Sequence, residues 1–138
     1  MNGHSFKDLE AGALSRSEFC DAFSAECLKE GHKVDGEAWL RHLEEGFEPD
    51  ILFLAALEEL RRNGFLIGII TNNWKGFNVD ASPNALLRFR PDVLIESYKV
   101  KIRKPSKEIY ELCQRELAKK VQGQKLNPEE IVFLDDIG

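Results

Sequence analysis

A layered α/β fold, with parallel strands between helices and a small helical unit ahead of them, is what this 138-residue sequence predicts. Three observations carry the prediction. Segments with helical spacing alternate with short, β-branched apolar runs from residue 50 to the end. Those runs are continuously apolar, as in strands covered on both faces. The first third holds only helical patterns, and the texture changes at Pro49.

In chain order, "SRSEFCDAFSAECLKEG" opens with Ser15 and places Glu18 three residues later, the pattern of a capping box. Phe19, Phe23 and Cys27 follow at four-residue spacing, and Gly31 ends the run. "DGEAWLRHLEEGF" predicts a second amphipathic helix with Trp39, Leu40 and Leu43 on its apolar face. "EPDILFLAALEELRRNG" predicts a helix with Pro49 in its first turn, basic residues in its last and Gly64 as its stop. "FLIGIIT" then predicts a strand, "NNWKGFNVDASPN" a polar loop and "DVLIES" a second strand. "KPSKEIYELCQRELAKKVQG" predicts a long helix with Pro105 near its first position, and "IVFLDD" a third strand. The boundary falls between a helical unit at 6–45 and an α/β unit at 49–138.

Composition narrows the function. A net charge of -5 with no offsetting basic face argues against nucleic acid as a partner. No apolar run approaches the roughly 20 residues that cross a bilayer, which argues against a membrane. "MNGHSFKDLE" has neither a basic nor an apolar targeting region. Cys20, Cys27 and Cys113 are odd in number and form no CxxC, so they read as reduced, packed thiols in a cytoplasmic setting. His4, His32 and His42 are scattered and read as surface residues. There is no GxGxxG, Walker A or nucleophile elbow.

Three polar signals lie where open parallel sheets bind ligands, beyond the carboxyl ends of strands. Thr71-Asn72-Asn73 puts a hydroxyl and amides at a strand tip, where they can donate to an anionic oxygen, although Asn and Thr also favour turns. Lys104 precedes a helix start, where a cation is misplaced unless an anion is shared with it; the alternative is a solvated lysine in "KVKIRKPSK". Asp135 and Asp136 are two like charges at a strand tip, which a hard cation such as Mg²⁺ would reconcile; the alternative is an acidic turn.

In this order, "IITNN", "IRKPSKEIY" and "VFLDDIG" resemble motifs II, III and IV of the haloacid dehalogenase-like (HAD) superfamily. Within it, the likeness is to the phosphatase-type domain at the N-terminus of soluble epoxide hydrolases and of acyl-CoA dehydrogenase family member 10. It covers roughly residues 10–138, and the helical first third occupies the place of that group's cap. The resemblance implies a Rossmann-like core and Mg²⁺-dependent hydrolysis of a small-molecule phosphoester. It implies that Thr71 binds the transferred phosphoryl group with Asn72 beside it contacting substrate or phosphate, that Lys104 neutralises nucleophile and phosphoryl charge, and that Asp135 and Asp136 hold the metal, directly or through water. It also implies a motif I, an Asp-x-Asp after an apolar strand, whose first Asp attacks phosphorus. The sequence has no Asp-x-Asp and no such strand ahead of its helices. The expectation is therefore an incomplete domain, lacking its first strand and inactive by itself, with unpaired strand edges open to self-association. The alternative is a non-catalytic isoform or degenerate domain that serves as a binding module.

Overall fold

The computed structural model describes residues 4–46, 50–77, 89–121 and 126–135. Three helices come first: α1 (His4–Glu10), α2 (Arg16–Lys29) and α3 (Gly36–Glu45). The predicted capping box starts α2: Ser15 Oγ accepts from Glu18 N–H, and Glu18 Oε2 accepts from Ser15 N–H at 2.8 Å. Asp35 caps α3 from one side only, its Oδ1 accepting from Ala38 N–H. The sequence reading did not single out α1. Its signal is the i,i+3 pair Phe6 and Leu9, which both reach the core of this unit. Leu9, Phe19, Cys20 and Leu40 fill that core, with Phe6, Phe23 and Trp39 in edge and tilted ring contacts around it. Gly36 lets α3 cross α2 closely, since a Cβ there would stand 2.4 Å from the Cys20 carbonyl oxygen.

The α/β part starts with α4 (Ile51–Arg62), opened by Asp50, whose Oδ1 accepts from the N–H groups of Leu52 and Phe53. Asp50 thus does the work expected of Pro49, which lies outside the described residues. Gly64, at φ +84, stops the chain after α4 as predicted. Then come β1 (Gly68–Thr71), β2 (Val93–Glu96), the short α5 (Ser97–Val100) and α6 (Lys107–Ala118). The two strands pair in parallel, Gly68 opposite Val93 and Thr71 opposite Glu96. Alternation along the strand explains the layering. Ile70, Val93 and Ile95 pack against Ile109, Cys113 and Leu117 of α6. Ile67 and Ile69 point the other way, onto Leu54 and Leu57 of α4. The result is a small parallel sheet between helices, as the apolar runs predict.

One predicted element does not form. Ile131–Asp135 joins no ladder with either strand, although Ile131 is extended. Val132, Phe133 and Leu134 are 81%, 48% and 68% exposed. A single apolar segment gains strand geometry only where a neighbour supplies backbone partners and a covered face. Among the described residues nothing pairs with the edge of β1 opposite β2. No helix among the described residues is long and apolar enough to cross a membrane.

Candidate functional site

The carboxyl end of β1 is the meeting point. Thr71 ends the strand and is half-buried. Asn72 follows and turns its side-chain amide onto the backbone of Lys104: Lys104 N–H donates to Oδ1 at 2.8 Å, and Nδ2 donates to the Lys104 carbonyl at 3.2 Å. The Lys104 ammonium in turn lies 2.9 Å from Asp135 Oδ2, with both side chains about a quarter exposed (22% and 26%). It also stands 5.9 Å from the centre of the Phe133 ring, while Tyr110 of α6 meets the same ring edge-on at 4.9 Å. Four chain segments therefore converge here: the tip of β1, the turn before α6, α6 itself and the run at 131–135. Lys104 stands farther from α6 than expected, because Ser106 is the N-cap and Pro105 lies between. Asp136 lies outside the described residues.

A buried polar frame stands behind this tip. Asn73 is 3% exposed, its N–H donates to Ser97 Oγ at 3.0 Å, and its Nδ2 donates to Glu96 Oε1 at 3.1 Å. Ser97, fully buried, lies 2.6 Å from the carbonyl of Glu10, so α1 docks on the strand tips. The Glu10 carboxylate, also buried, takes Arg103 Nη2 at 2.7 Å and Nε at 2.9 Å. A buried carboxylate is tolerable only when paired in this way. Trp74, buried next along the loop, donates its indole N–H to Glu44 Oε1 at 2.9 Å. Glu44 is held by Arg16, which also binds Glu37; these two carboxylates push the guanidinium pKa up and hold it charged. The helical unit is thus tied to the loop after β1 through Trp74, and to α5 and the turn before α6 through Glu10.

Sequence reasoning missed Glu10, Arg103, Ser97 and the Glu44–Trp74 bond, and it read Asn73 only as part of the polar run at the strand tip. The available signal was weak: an acidic residue closing a short amphipathic helix, and an arginine inside a run of cations. That run is not a solvated basic face. Lys99 pairs with Glu96, Lys101 donates to the Gly12 carbonyl at 2.6 Å, Arg103 holds Glu10, Lys104 holds Asp135 and Lys107 holds Glu111.

Other candidates fall away. The three cysteines are buried, and burial with the neighbouring Glu37 carboxylate pushes the Cys20 thiol up to about 11. Burial raises Cys113 as well. Raised thiols are poor nucleophiles at neutral pH. His4, His32 and His42 are exposed, as predicted. An open groove of about 420 Å³ runs along β2 past Leu94, Leu112 and Lys120, but none of the converging polar residues lines it.

The donor set near Lys104 is of the kind a hard divalent cation takes. Among the described residues no three His, Cys, Asp or Glu gather, yet Mg²⁺ needs only one or two protein carboxylates when phosphate and water complete its shell. Asp135, beside Lys104 and joined through it to the residue after β1, offers one such carboxylate.

A family model described as haloacid dehalogenase-like hydrolase matches residues 15–138. The chain is 39% identical to bifunctional epoxide hydrolase 2 of Sus scrofa over 89 residues, which is 62% of this chain and 15% of that protein. The Mus musculus protein of the same name is 36% identical over the same shares. Acyl-CoA dehydrogenase family member 10 of Mus musculus is 33% identical over 85 residues, 60% of this chain and 7% of that protein. The chain therefore spans a small part of the relatives it matches. No solved structure matches it. With the family model covering most of its length and the motif residues meeting at one strand tip, the chain belongs to the haloacid dehalogenase-like hydrolases.

Proposed function

We propose that the cluster at the end of β1 is a phosphate site of Mg²⁺-dependent, phosphatase type, and that the 138 residues supply its phosphate-binding and charge-neutralising groups but not motif I, the expected source of the nucleophile, of the general acid and base, and of part of the metal shell. The observation that supports this reading best is the Lys104 ammonium, 2.9 Å from Asp135 and clamped through its backbone to the residue beside Thr71. Phosphoryl transfer asks mainly for positioning and charge neutralisation. Thr71 donates its hydroxyl to an equatorial phosphoryl oxygen. Lys104 neutralises charge that develops on those oxygens and on an attacking carboxylate. Asp135, with Asp136 beyond the described residues, holds Mg²⁺, which supplies further neutralisation of the phosphate when bound. The helices α1–α3 form a cap, over residues 6–45, that shapes access for a small-molecule phosphoester, and residues 49–138 form a partial Rossmann-like core.

The sequence has no Asp-x-Asp, so in this reading the chain by itself turns over little substrate. The edge of β1 that no described residue pairs, and the exposed run at 132–134, favour self-association. Magnesium-dependent binding of inorganic phosphate, followed by NMR at the Thr71 and Lys104 amides, tests the site. Binding that survives Lys104→Ala and Asp135→Asn unchanged would show that the site lies elsewhere.

A further inference from the structure

The resemblance gives Asn72 to the phosphate. The geometry points to another role. Asn72 Oδ1 accepts from Lys104 N–H, and Nδ2 donates to the carbonyl of the same residue. The amide orientation is fixed by chemistry, because only oxygen can face an N–H and only nitrogen can face a carbonyl. One acceptor and one donor together bind both backbone groups of Lys104, as a neighbouring strand would. The preceding residue is held separately, through Arg103 and the buried Glu10 carboxylate of α1. Asn72 is joined to Thr71, whose place is set by its register with Glu96. The strand end therefore fixes where the Lys104 side chain begins, 32 residues away in sequence. Of the two hydrogens on Nδ2, the bond to the Lys104 carbonyl takes one, and Oδ1 is committed to the Lys104 N–H.

We propose that Asn72 is a positioning residue: it sets the place of the Lys104 ammonium by clamping the Lys104 backbone, and it does not itself hold phosphate. The proposal deepens the phosphate-site reading of Lys104 and rests on it for its functional meaning. The clamp is a property of the ligand-free protein and can be measured there.

Three measurements on the 138-residue protein test it. Without ligand, the Lys104 amide is protected from hydrogen exchange, and Asn72→Ala speeds its exchange about tenfold relative to the amides of α6. Asn72→Asp keeps the acceptor oxygen and leaves that amide near the unmutated rate. In the unmutated protein, a trans-hydrogen-bond coupling links the Lys104 amide nitrogen to the Asn72 side-chain carbonyl carbon, so the clamp is read even if Asn72→Ala fails to fold. No coupling and an unprotected Lys104 amide would overturn the clamp. The third measurement is a double-mutant cycle on the affinity for inorganic phosphate with Mg²⁺. Asn72→Ala weakens binding about fivefold alone and less than about twofold in a Lys104→Ala background, because it acts through the lysine. An equal loss in both backgrounds would show that Asn72 touches phosphate itself and would overturn the positioning role. If phosphate fails to bind the unmutated protein, the phosphate-site reading fails, while exchange and coupling still decide the clamp.

Discussion

At the residue scale, two glycines make opposite demands on the same packing principle. A Cβ at Gly36 would meet backbone of Cys20, the carbonyl oxygen at 2.4 Å and Cα at 2.8 Å, so nothing local can yield. Gly36→Ala is expected to cost about 2–3 kcal/mol as α2 and α3 are forced apart, measured by denaturant unfolding. At Gly68 a Cβ would meet side chains, Cys113 Sγ at 2.9 Å and Leu117 Cδ1 at 3.1 Å. Gly68→Ala should therefore be rescued in part by Cys113→Ala, whereas no single side-chain truncation should rescue Gly36→Ala. Acid adds a further test. The Arg16 hydrogen bond holds the exposed Glu37 carboxyl below its ordinary range. A depressed folded pKa contributes stability above the unfolded carboxylate value of about 4.3, and that contribution is lost as pH falls through the folded value. The advantage of the unmutated chain over Glu37→Gln should thus be present at neutral pH and vanish in acid, as read by thermal midpoints. None of these contacts was legible in the sequence. Gly36 meets Cys20 and Arg16 meets Glu37 across the chain, and partners more than a dozen residues away carry no local pattern.

At the element scale, periodicity and capping did their work where structure is local. The Ser15 box, the Gly31 and Gly64 stops and the strands at 68–71 and 93–96 follow directly from residue type and spacing. The run "IVFL" shows the limit. Its composition is that of a buried strand, yet a strand is a relation between two segments, and here the partner is absent among the described residues. Val132 and Leu134 remain in solvent along with Ile51 and Leu52 of α4. The expected consequence is concentration-dependent association with bound hydrophobic dye. Val132→Lys, which touches no described core, should lower both signals in light scattering and fluorescence while leaving helix content intact. Unchanged association in that variant would locate the sticky surface on α4 instead.

At the scale of the whole molecule, the sequence pointed to Thr71, Asn72, Lys104 and Asp135 on the expectation that parallel strands bring their carboxyl ends to one side; Thr71 and Asn72 do stand at such an end, whereas Asp135 reaches the cluster from a run that joins no ladder. The bonds among them did not follow from that expectation. That Asn72 faces Lys104, and that the first helix reaches Glu10 into the same region, depends on side-chain geometry that only the folded chain reveals. The central claim is that this cluster neutralises and positions phosphate but brings no attacking carboxylate of its own. The measurement that tests it most directly is hydrolysis of a generic phosphomonoester with saturating Mg²⁺, by the 138-residue chain and by a version given an added apolar strand ending in Asp-x-Asp. The account predicts turnover at background for the first, and for the second a rate that Lys104→Ala lowers at least about a hundredfold. Robust turnover by the 138-residue chain, abolished by Asp135→Asn, would contradict it.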